Sequence, residues 1–265
     1  MPSADPPQAG FIDTHCHLAN PRLLGQVDDV LRRAREAGVD RIIIATARLE
    51  EARQAAQLTA AHEGLCCMAG VHPHDSAEAP PDYLEELARL AENPRLVGIG
   101  EIGLDYHYDY SPRPTQREVF TRQLELAGRM GRTVVVHTRE AWDDTLAILR
   151  DGPVDLARVV LHSFTEGPQA AATAMELGMT ISFSGIVTFD NAKALRESAL
   201  LVSDDHLLTE TDAPFLSPEP VRKMKTNEPA NVVHIAQFLA RLRNQTPEHL
   251  AACVRRNAHR MFGIQ

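Results

Sequence analysis

The chain alternates between short, almost continuously apolar runs and longer stretches whose apolar residues recur with helical spacing. Eight apolar runs predict β-strands, at residues 11–16, 41–47, 65–71, 96–102, 133–138, 158–163, 179–184 and 207–212. Strands that are apolar on both faces are typical of a parallel sheet that is covered by helices on both sides. The pattern therefore indicates an α/β protein.

The stretches between these runs predict helices, and several of them end at a glycine. They lie at residues 28–38, 50–64, 81–93, 115–131, 140–152 and 191–201, and two more follow the last strand near 230–243 and 247–261. Eight repeats of a strand and a helix indicate a single (β/α)8 TIM barrel rather than an open sheet.

One domain accounts for the whole length, because a barrel of this kind needs roughly 250 residues and the chain has 265. Residues 1–9 are rich in proline and small polar residues, so we expect a flexible lead followed by a barrel domain at 10–265. After the last predicted strand, the Pro-rich segment APFLSPEPVRKMKTNEP is typical of a loop that covers a barrel mouth.

Charge, hydropathy and cysteine content indicate which partners and which cellular compartment to expect. The net charge of −9 predicts a surface that repels polyanions, although metal ions in one pocket reverse the local field and admit an anionic substrate. No run of 18 apolar residues occurs, and the four cysteines form no CxxC pair. We expect a cytoplasmic protein with no membrane association and no obligate protein partner.

Polar residues stand at the carboxyl ends of the predicted strands, where barrel enzymes place their reacting groups. In chain order they are His15 and His17, Thr46, His72, Glu101, His137, His162, Ser184 and Asp212. One such histidine alone is ordinarily a hydrogen-bonded structural residue, but an apolar barrel interior does not tolerate so many ionisable groups without a purpose. Imidazole and carboxylate groups together suit Zn, Mn, Fe or Mg-like ions bound in pairs.

Several motifs in a fixed order strengthen this hypothesis. They are DTHCHL at 13–18, GVHPHD at 70–75, GEIGLDYHY at 100–108, VHTREA at 136–141, LHSF at 161–164, ETDAPFLSP at 210–218, NEPANV at 227–232 and NAHRMF at 257–262. They are spread over nearly the whole chain, which resembles the TatD-like metal-dependent hydrolases (the TatD DNase family) of the amidohydrolase superfamily.

The resemblance implies a centre of two divalent ions, such as Mg, Mn or Zn. His15, His17, Glu101 and Asp212 would hold the first ion, and Glu101, His137 and His162 the second, with Glu101 as the bridge. Asp212 is also the candidate catalytic base, since a carboxylate beside an activated water can take its proton. Its alternative role is that of a metal ligand only.

Four residues are candidates for substrate binding. Arg139 lies two positions after His137 and so on the same side of the strand, where it would clamp a phosphate; a salt bridge is the alternative. By resemblance His72 contacts substrate or positions water, and otherwise it is a hydrogen-bonded loop residue. Tyr106 begins a run of three tyrosines that either stack on bases or pack the rim. Lys225 belongs to a basic cluster that either follows a phosphate backbone or forms a solvated surface.

Two departures from the family pattern affect substrate contacts rather than ligands. The family commonly has Cys after the sixth-strand His, where this chain has Ser163, and the basic loop reads VRKMKTNEP where RGKRNEP is usual.

The sequence thus predicts a deoxyribonuclease that acts on phosphodiester bonds, with 3′ to 5′ exonuclease activity on single strands implied by the resemblance alone. An ester or amide hydrolase, such as an aminoacyl-tRNA deacylase, is the alternative enzyme. A nonenzymatic nucleic-acid or partner-binding module is the third possibility, and the complete set of ionisable groups argues against it.

Overall fold

The computed structural model describes residues 10–264, and within them a single eight-stranded parallel sheet runs in sequential order around a nearly closed barrel. Its strands are β1 (Phe11–Cys16), β2 (Val39–Ile44), β3 (Leu65–Ala69), β4 (Leu96–Asp105), β5 (Thr133–Arg139), β6 (Val159–Leu161), β7 (Thr180–Phe183) and β8 (Leu207–Thr209). All eight predicted strands and the TIM-barrel class are therefore confirmed. The predicted flexible lead, residues 1–9, lies outside the described residues.

Helices follow the strands and cover the outside of the barrel. They are α1 (Pro21–Leu24), α2 (Val27–Glu36), α3 (Leu49–Ala61), α4 (Tyr83–Leu90), α5 (Arg113–Met130), α6 (Trp142–Asp151), α7 (Pro168–Glu176), α8 (Lys193–Leu201), α9 (Val232–Leu242) and α10 (Pro247–Phe262). Between residues 10 and 264, no helix combines the length and the apolar character that a membrane crossing requires.

Helix α7 has no counterpart among the individually predicted helices. Its buried face consists of Ala170, Ala171 and Ala174, whose methyl groups give little hydrophobic contrast along the sequence. The helix begins at Pro168, in the first turn where proline is tolerated, after Gly167 with φ 91°. Small side chains let this helix pack closely on the sheet, and they also hide its periodicity.

The long helix α5 shows how sequence and packing agree. Pro114 lies in its first turn, and it ends at Gly131, which adopts the left-handed conformation with φ 59°. Between these ends Phe120 and Leu124, four residues apart on one face, are almost completely buried. Burial of one such side chain contributes about 1.5–3 kcal/mol, so this face holds α5 against the barrel.

The seam between β8 and β1 closes the barrel with the help of side chains. The Asp13 carboxylate accepts hydrogen bonds from the Thr211 main-chain N–H at 2.9 Å and from the Thr211 hydroxyl at 2.5 Å. Next to this pair, the Asp212 N–H donates to the carbonyl oxygen of His15 at 2.9 Å. The seam therefore fixes Asp212 beside the histidines of β1.

Strand β4 approaches β5 closely at Gly103, which pairs with His137. Gly103 has φ 140°, and a Cβ atom at this position would overlap the carbonyl oxygen of His137. Glycine is required here because both the backbone angle and the space exclude a side chain. The close approach lies between Glu101 and Asp105, so it sets how these carboxylates meet β5.

We predict that Gly103→Ala lowers the free energy of unfolding by at least about 2 kcal/mol, since the new methyl group forces the strands apart. Gly131→Ala is the matched control, because Gly131 also has positive φ but has open space around its Cβ position. The control should lose only about 1 kcal/mol. Urea denaturation measures both, and equal losses in the two variants would show that the β4–β5 approach is not tight.

Candidate metal centre

All six predicted ligands converge at the carboxyl end of the barrel, around the Glu101 carboxylate. Glu101 lies near the middle of β4 and is only 3% exposed. Its two oxygen atoms face two different groups of side chains.

The first group faces Glu101 Oε2 and combines His15 of β1, His17 just after β1, and Asp212 from the segment after β8. His15 Nε2 lies 3.3 Å and His17 Nε2 3.5 Å from this oxygen. Asp212 Oδ1 lies 3.3 Å from His17 Nε2 and 3.8 Å from His15 Nε2. Side chains alternate along an extended chain, so His15 in β1 and His17 just after it turn their rings to the same side.

The second group faces Glu101 Oε1. His137 Nδ1 lies 2.9 Å, His162 Nε2 3.0 Å and His72 Nε2 3.2 Å from this oxygen. His137 comes from β5, and His162 directly follows β6. The structure thus adds His72, which the sequence analysis assigns to substrate, to the residues in contact with Glu101.

Two further carboxylates, Asp105 and Glu210, orient the second group, and the sequence analysis misses both. Asp105 Oδ2 lies 3.0 Å from His137 Nε2, and Glu210 Oε1 lies 2.7 Å from His162 Nδ1. Each holds the outer nitrogen of a histidine whose inner nitrogen faces Glu101. Side-chain alternation is a signal that identifies them, since Glu210 lies two positions before Asp212 and Asp105 lies four positions after Glu101.

This arrangement suits the binding of divalent cations. Because carboxylates only accept hydrogen bonds, Asp105 and Glu210 hold N–H groups of His137 and His162 on the outer side. Burial would lower the pKa of both rings, but the acids beside them raise it overall. A bound cation would replace the inner proton and leave each ring neutral, with its only hydrogen on the outer nitrogen. The inner nitrogen of each ring then presents a lone pair to Glu101 Oε1, at 2.9 Å for His137 and 3.0 Å for His162. Two acceptors at this distance require a positive charge between them, which a metal ion or a proton supplies.

The electrostatics of the centre favour charged carboxylates. Burial alone would raise the pKa of the Glu101 carboxyl, but His162 and His72, together with hydrogen bonds from His137 and His15, hold it well below its usual range. Burial likewise opposes ionisation of Asp212, and its hydrogen bond with His17 lowers the pKa overall. Burial lowers the pKa of His72 to about 4, so this ring is neutral at physiological pH.

Asp212 differs from the other predicted ligands in its backbone and in its exposure. Its φ of 55° lies in the left-handed region, which aspartate tolerates better than most residues. Its side chain is 14% exposed, whereas that of Glu101 is 3% exposed. The carboxylate therefore faces both the first group and the opening of the barrel.

Arg139, at the end of β5, has no carboxylate partner among residues 10–264, so the alternative of a salt bridge is not found. Its guanidinium group lies 4.8 Å from the centre of the Tyr108 ring. The side chain is partly buried and its charge is not neutralised by a neighbouring acid. This position suits a contact with an anionic group.

The three tyrosines after β4 separate into two environments. The Tyr106 hydroxyl donates to Asp144 at 2.6 Å, and the Arg113 guanidinium lies 4.3 Å from the centre of its ring. Tyr108 and Tyr110 are 46% and 68% exposed and stack with ring centres 5.2 Å apart. Tyr106 is thus partly buried with its ring and hydroxyl both engaged. Tyr108 also contacts Arg139, but its ring and that of Tyr110 are largely exposed to solvent.

On the other side of the mouth, Phe215 is 45% exposed and its ring centre lies 6.0 Å from that of His17. The sequence analysis does not single out this residue. Lys225 is exposed in the following loop, where its main-chain carbonyl accepts a hydrogen bond from Arg22. The roles of Lys225 and Tyr106 in substrate binding stay predictions.

Comparison with known proteins supports a metal-dependent enzyme. The curated relatives include an uncharacterized metal-dependent hydrolase, YcfH, of Escherichia coli K12, which is 39% identical over 257 residues and 96% of each chain. The 3′-5′ ssDNA/RNA exonuclease TatD of Pantoea ananatis is 36% identical over 96% of this chain and 100% of that protein.

Among solved structures, the TatD homolog YJJV of Escherichia coli K12 superimposes with a TM-score of 0.91 and 29% identity. The match covers 96% of this chain and 98% of that one. The family model described as TatD related DNase matches residues 12–263. The chain therefore belongs to the TatD-related DNase family of metal-dependent hydrolases.

Proposed function

We propose that the protein is a two-metal phosphodiesterase that removes nucleotides from the 3′ end of single-stranded DNA. The observation that carries this proposal is the position of Glu101, whose two oxygens face two separate groups of ligand atoms. A carboxylate in this position is suited to bridge two ions. The 36% identity to a protein named as a 3′-5′ ssDNA/RNA exonuclease supports the polarity of the reaction.

In this proposal His15, His17, Glu101 and Asp212 would hold one divalent ion, and Glu101, His137 and His162 would hold the other. Mg, Mn and Zn all suit ligands of these types. A bound pair of ions would lower the pKa of a water molecule and neutralise charge on a phosphoryl oxygen. Asp105 and Glu210 would hold the rings of His137 and His162 in the orientation that metal binding requires.

Asp212 is the proposed general base. Its lowered pKa keeps it a carboxylate at neutral pH, and its partial exposure lets it contact a water molecule at the mouth. A carboxylate in this state accepts a proton from water as the water attacks phosphorus. His72, which is neutral and lies against Glu101, is placed to hydrogen-bond the substrate or that water.

The rim supplies contacts for a single strand. We propose that Arg139 donates paired hydrogen bonds to a phosphate, since no acid neutralises it. Tyr108 and Tyr110 on one side of the mouth, and Phe215 on the other, offer exposed rings on which unpaired bases can stack. Lys225 would contact the phosphate backbone beyond Phe215. The four free cysteines fit a reducing compartment, so we place this activity in the cytoplasm.

The first prediction here concerns the reaction itself. Single-stranded oligonucleotides labelled at the 3′ or 5′ end should shorten stepwise from the 3′ end when Mg, Mn or Zn is present. Asp212→Asn removes the base and should reduce the rate by at least about 100-fold. Absence of cleavage with every metal would contradict the nuclease, and an aminoacyl-tRNA is then the substrate that tests the ester alternative.

The second prediction concerns the bridge. Glu101→Ala should abolish binding of both ions, because it removes the one side chain that faces both groups, while circular dichroism still reports a folded barrel. Elemental analysis counts the ions per chain. Glu140→Ala is the control, since Glu140 is an exposed acid at the rim, paired with His107. A Glu101→Ala protein that keeps two ions would contradict the bridging role.

The third prediction separates the tyrosines. Tyr108→Ala should weaken binding of a single-stranded oligonucleotide by about 5-fold to 100-fold, the loss expected for one stacked base. Tyr106→Ala, whose ring is occupied by Arg113, should change binding much less. Fluorescence anisotropy with the Asp212→Asn variant as background measures both without cleavage. A larger effect of Tyr106→Ala would assign the stacking to that ring instead.

A further inference from the structure

A second cluster of residues that commonly bind metals lies outside the group around Glu101, between the outer helix α10 and the turn that precedes β8. It consists of Asp204, His249 and Cys253, whose Oδ2, Nε2 and Sγ atoms lie within 4.8 Å of one another. His249 Nε2 is 2.9 Å from Asp204 Oδ2 and 3.4 Å from Cys253 Sγ. The same nitrogen faces both partners, so the three do not form a relay in which a histidine links its partners through different nitrogens.

We propose that Asp204, His249 and Cys253 bind a zinc-like transition-metal ion that fastens α10 to the turn preceding β8. His249 and Cys253 are four positions apart on one helix, so their side chains lie on the same face one turn apart. Asp204 comes from the 3-10 turn Asp204–His206 and supplies the third ligand from a separate element.

The observed separations are close to those of a tetrahedral zinc site. Zinc bonds of about 2.0–2.3 Å at tetrahedral angles place nitrogen and oxygen ligands about 3.3 Å apart, and nitrogen and sulfur ligands about 3.6 Å apart. The nitrogen–sulfur separation of 3.4 Å already agrees, and the nitrogen–oxygen separation of 2.9 Å needs only a small side-chain movement. The His249 side chain is 52% exposed, which leaves an approach for the ion and for a water as fourth ligand.

Hydrogen bonds from neighbouring groups hold the Asp204 carboxylate in the orientation that the proposed metal site requires. Asp204 Oδ1 accepts hydrogen bonds from Arg243 at 2.6 Å and from Gln245 at 2.9 Å, which directs Oδ2 toward α10. Asn257, also on α10, donates to the main-chain carbonyl of Asp204 at 2.7 Å and so holds the turn against the helix. Hydrogen bonds of this kind commonly orient metal ligands.

The Cys253 thiol is also a proposed ligand, and it binds a metal ion as a thiolate. Cys253 is 1% exposed, and burial raises the pKa of its thiol, while a hydrogen bond from Arg256 to Sγ at 3.2 Å opposes that rise. Binding of a divalent ion would release the thiol proton to water and leave the thiolate as ligand. Thiolate, imidazole and carboxylate together favour zinc over magnesium or calcium.

Cobalt(II) is a probe that separates this site from the centre around Glu101, because a cobalt–thiolate bond gives a near-ultraviolet charge-transfer band and the proposed ligands of that centre include no cysteine. Titration of the full-length protein with Co²⁺ should produce this band. Cys253→Ser should abolish it, and His249→Ala should weaken the binding that the band reports by at least about tenfold.

Matched controls keep the result specific. Cys66→Ser replaces a half-buried cysteine on β3, and His259→Ala replaces an exposed histidine of the same helix; both should keep the band. Zinc content, measured by elemental analysis, should fall by one ion per chain in Cys253→Ser while hydrolytic activity stays unchanged. A wild-type protein without the band, or a band that persists in Cys253→Ser, would overturn the proposal.

Discussion

The rest of the structure depends on the burial of one negative charge, the Glu101 carboxylate, in the mouth of an apolar barrel. An isolated carboxylate at 3% exposure would cost several kcal/mol of solvation free energy. Five imidazole rings surround it, and two of them are held from behind by Asp105 and Glu210. Acids and imidazoles thus alternate across the mouth, from Asp105 through His137, Glu101 and His162 to Glu210. Such a network stabilises the protein only when it is complete, so each strand must deliver its residue to the same height.

Much of this arrangement follows from the sequence, for reasons of geometry. A parallel barrel brings all the strand ends to one face, so residues that end successive apolar runs must become neighbours. His15 in β1 and His17 just after it share a side because alternate residues of an extended chain do. The polar residues at the strand ends are predicted on this basis, whereas Asp105 and Glu210, which hold two of the histidines from behind, are missed. The eight strands are predictable from the sequence as well, since strands that are buried on both faces are almost continuously apolar.

Other features depend on contacts that the sequence does not display. The alanine face of α7 carries too little hydrophobic contrast to be recognised. Tyr106 looks equivalent to Tyr108 in sequence, and only the packed structure shows that Asp144 and Arg113 engage it. In the cluster beside α10, Asp204 is 45 positions from His249 and 49 positions from Cys253. The turn that carries Asp204 brings these residues together, and no local sequence pattern indicates where that turn lies.

The seam between β1 and β8 has a consequence for how the protein is made. Asp13 and Thr211 are 198 positions apart, and their hydrogen bonds help to join the first strand to the last. During synthesis the chain emerges from its amino end, so His15 and His17 are present long before Asp212 exists. Contacts of such long range form late in folding, because closing a large loop is entropically costly. A chain that has not been synthesised through residue 212 therefore lacks the acid proposed as the general base, so the proposed hydrolytic chemistry belongs to the completed barrel.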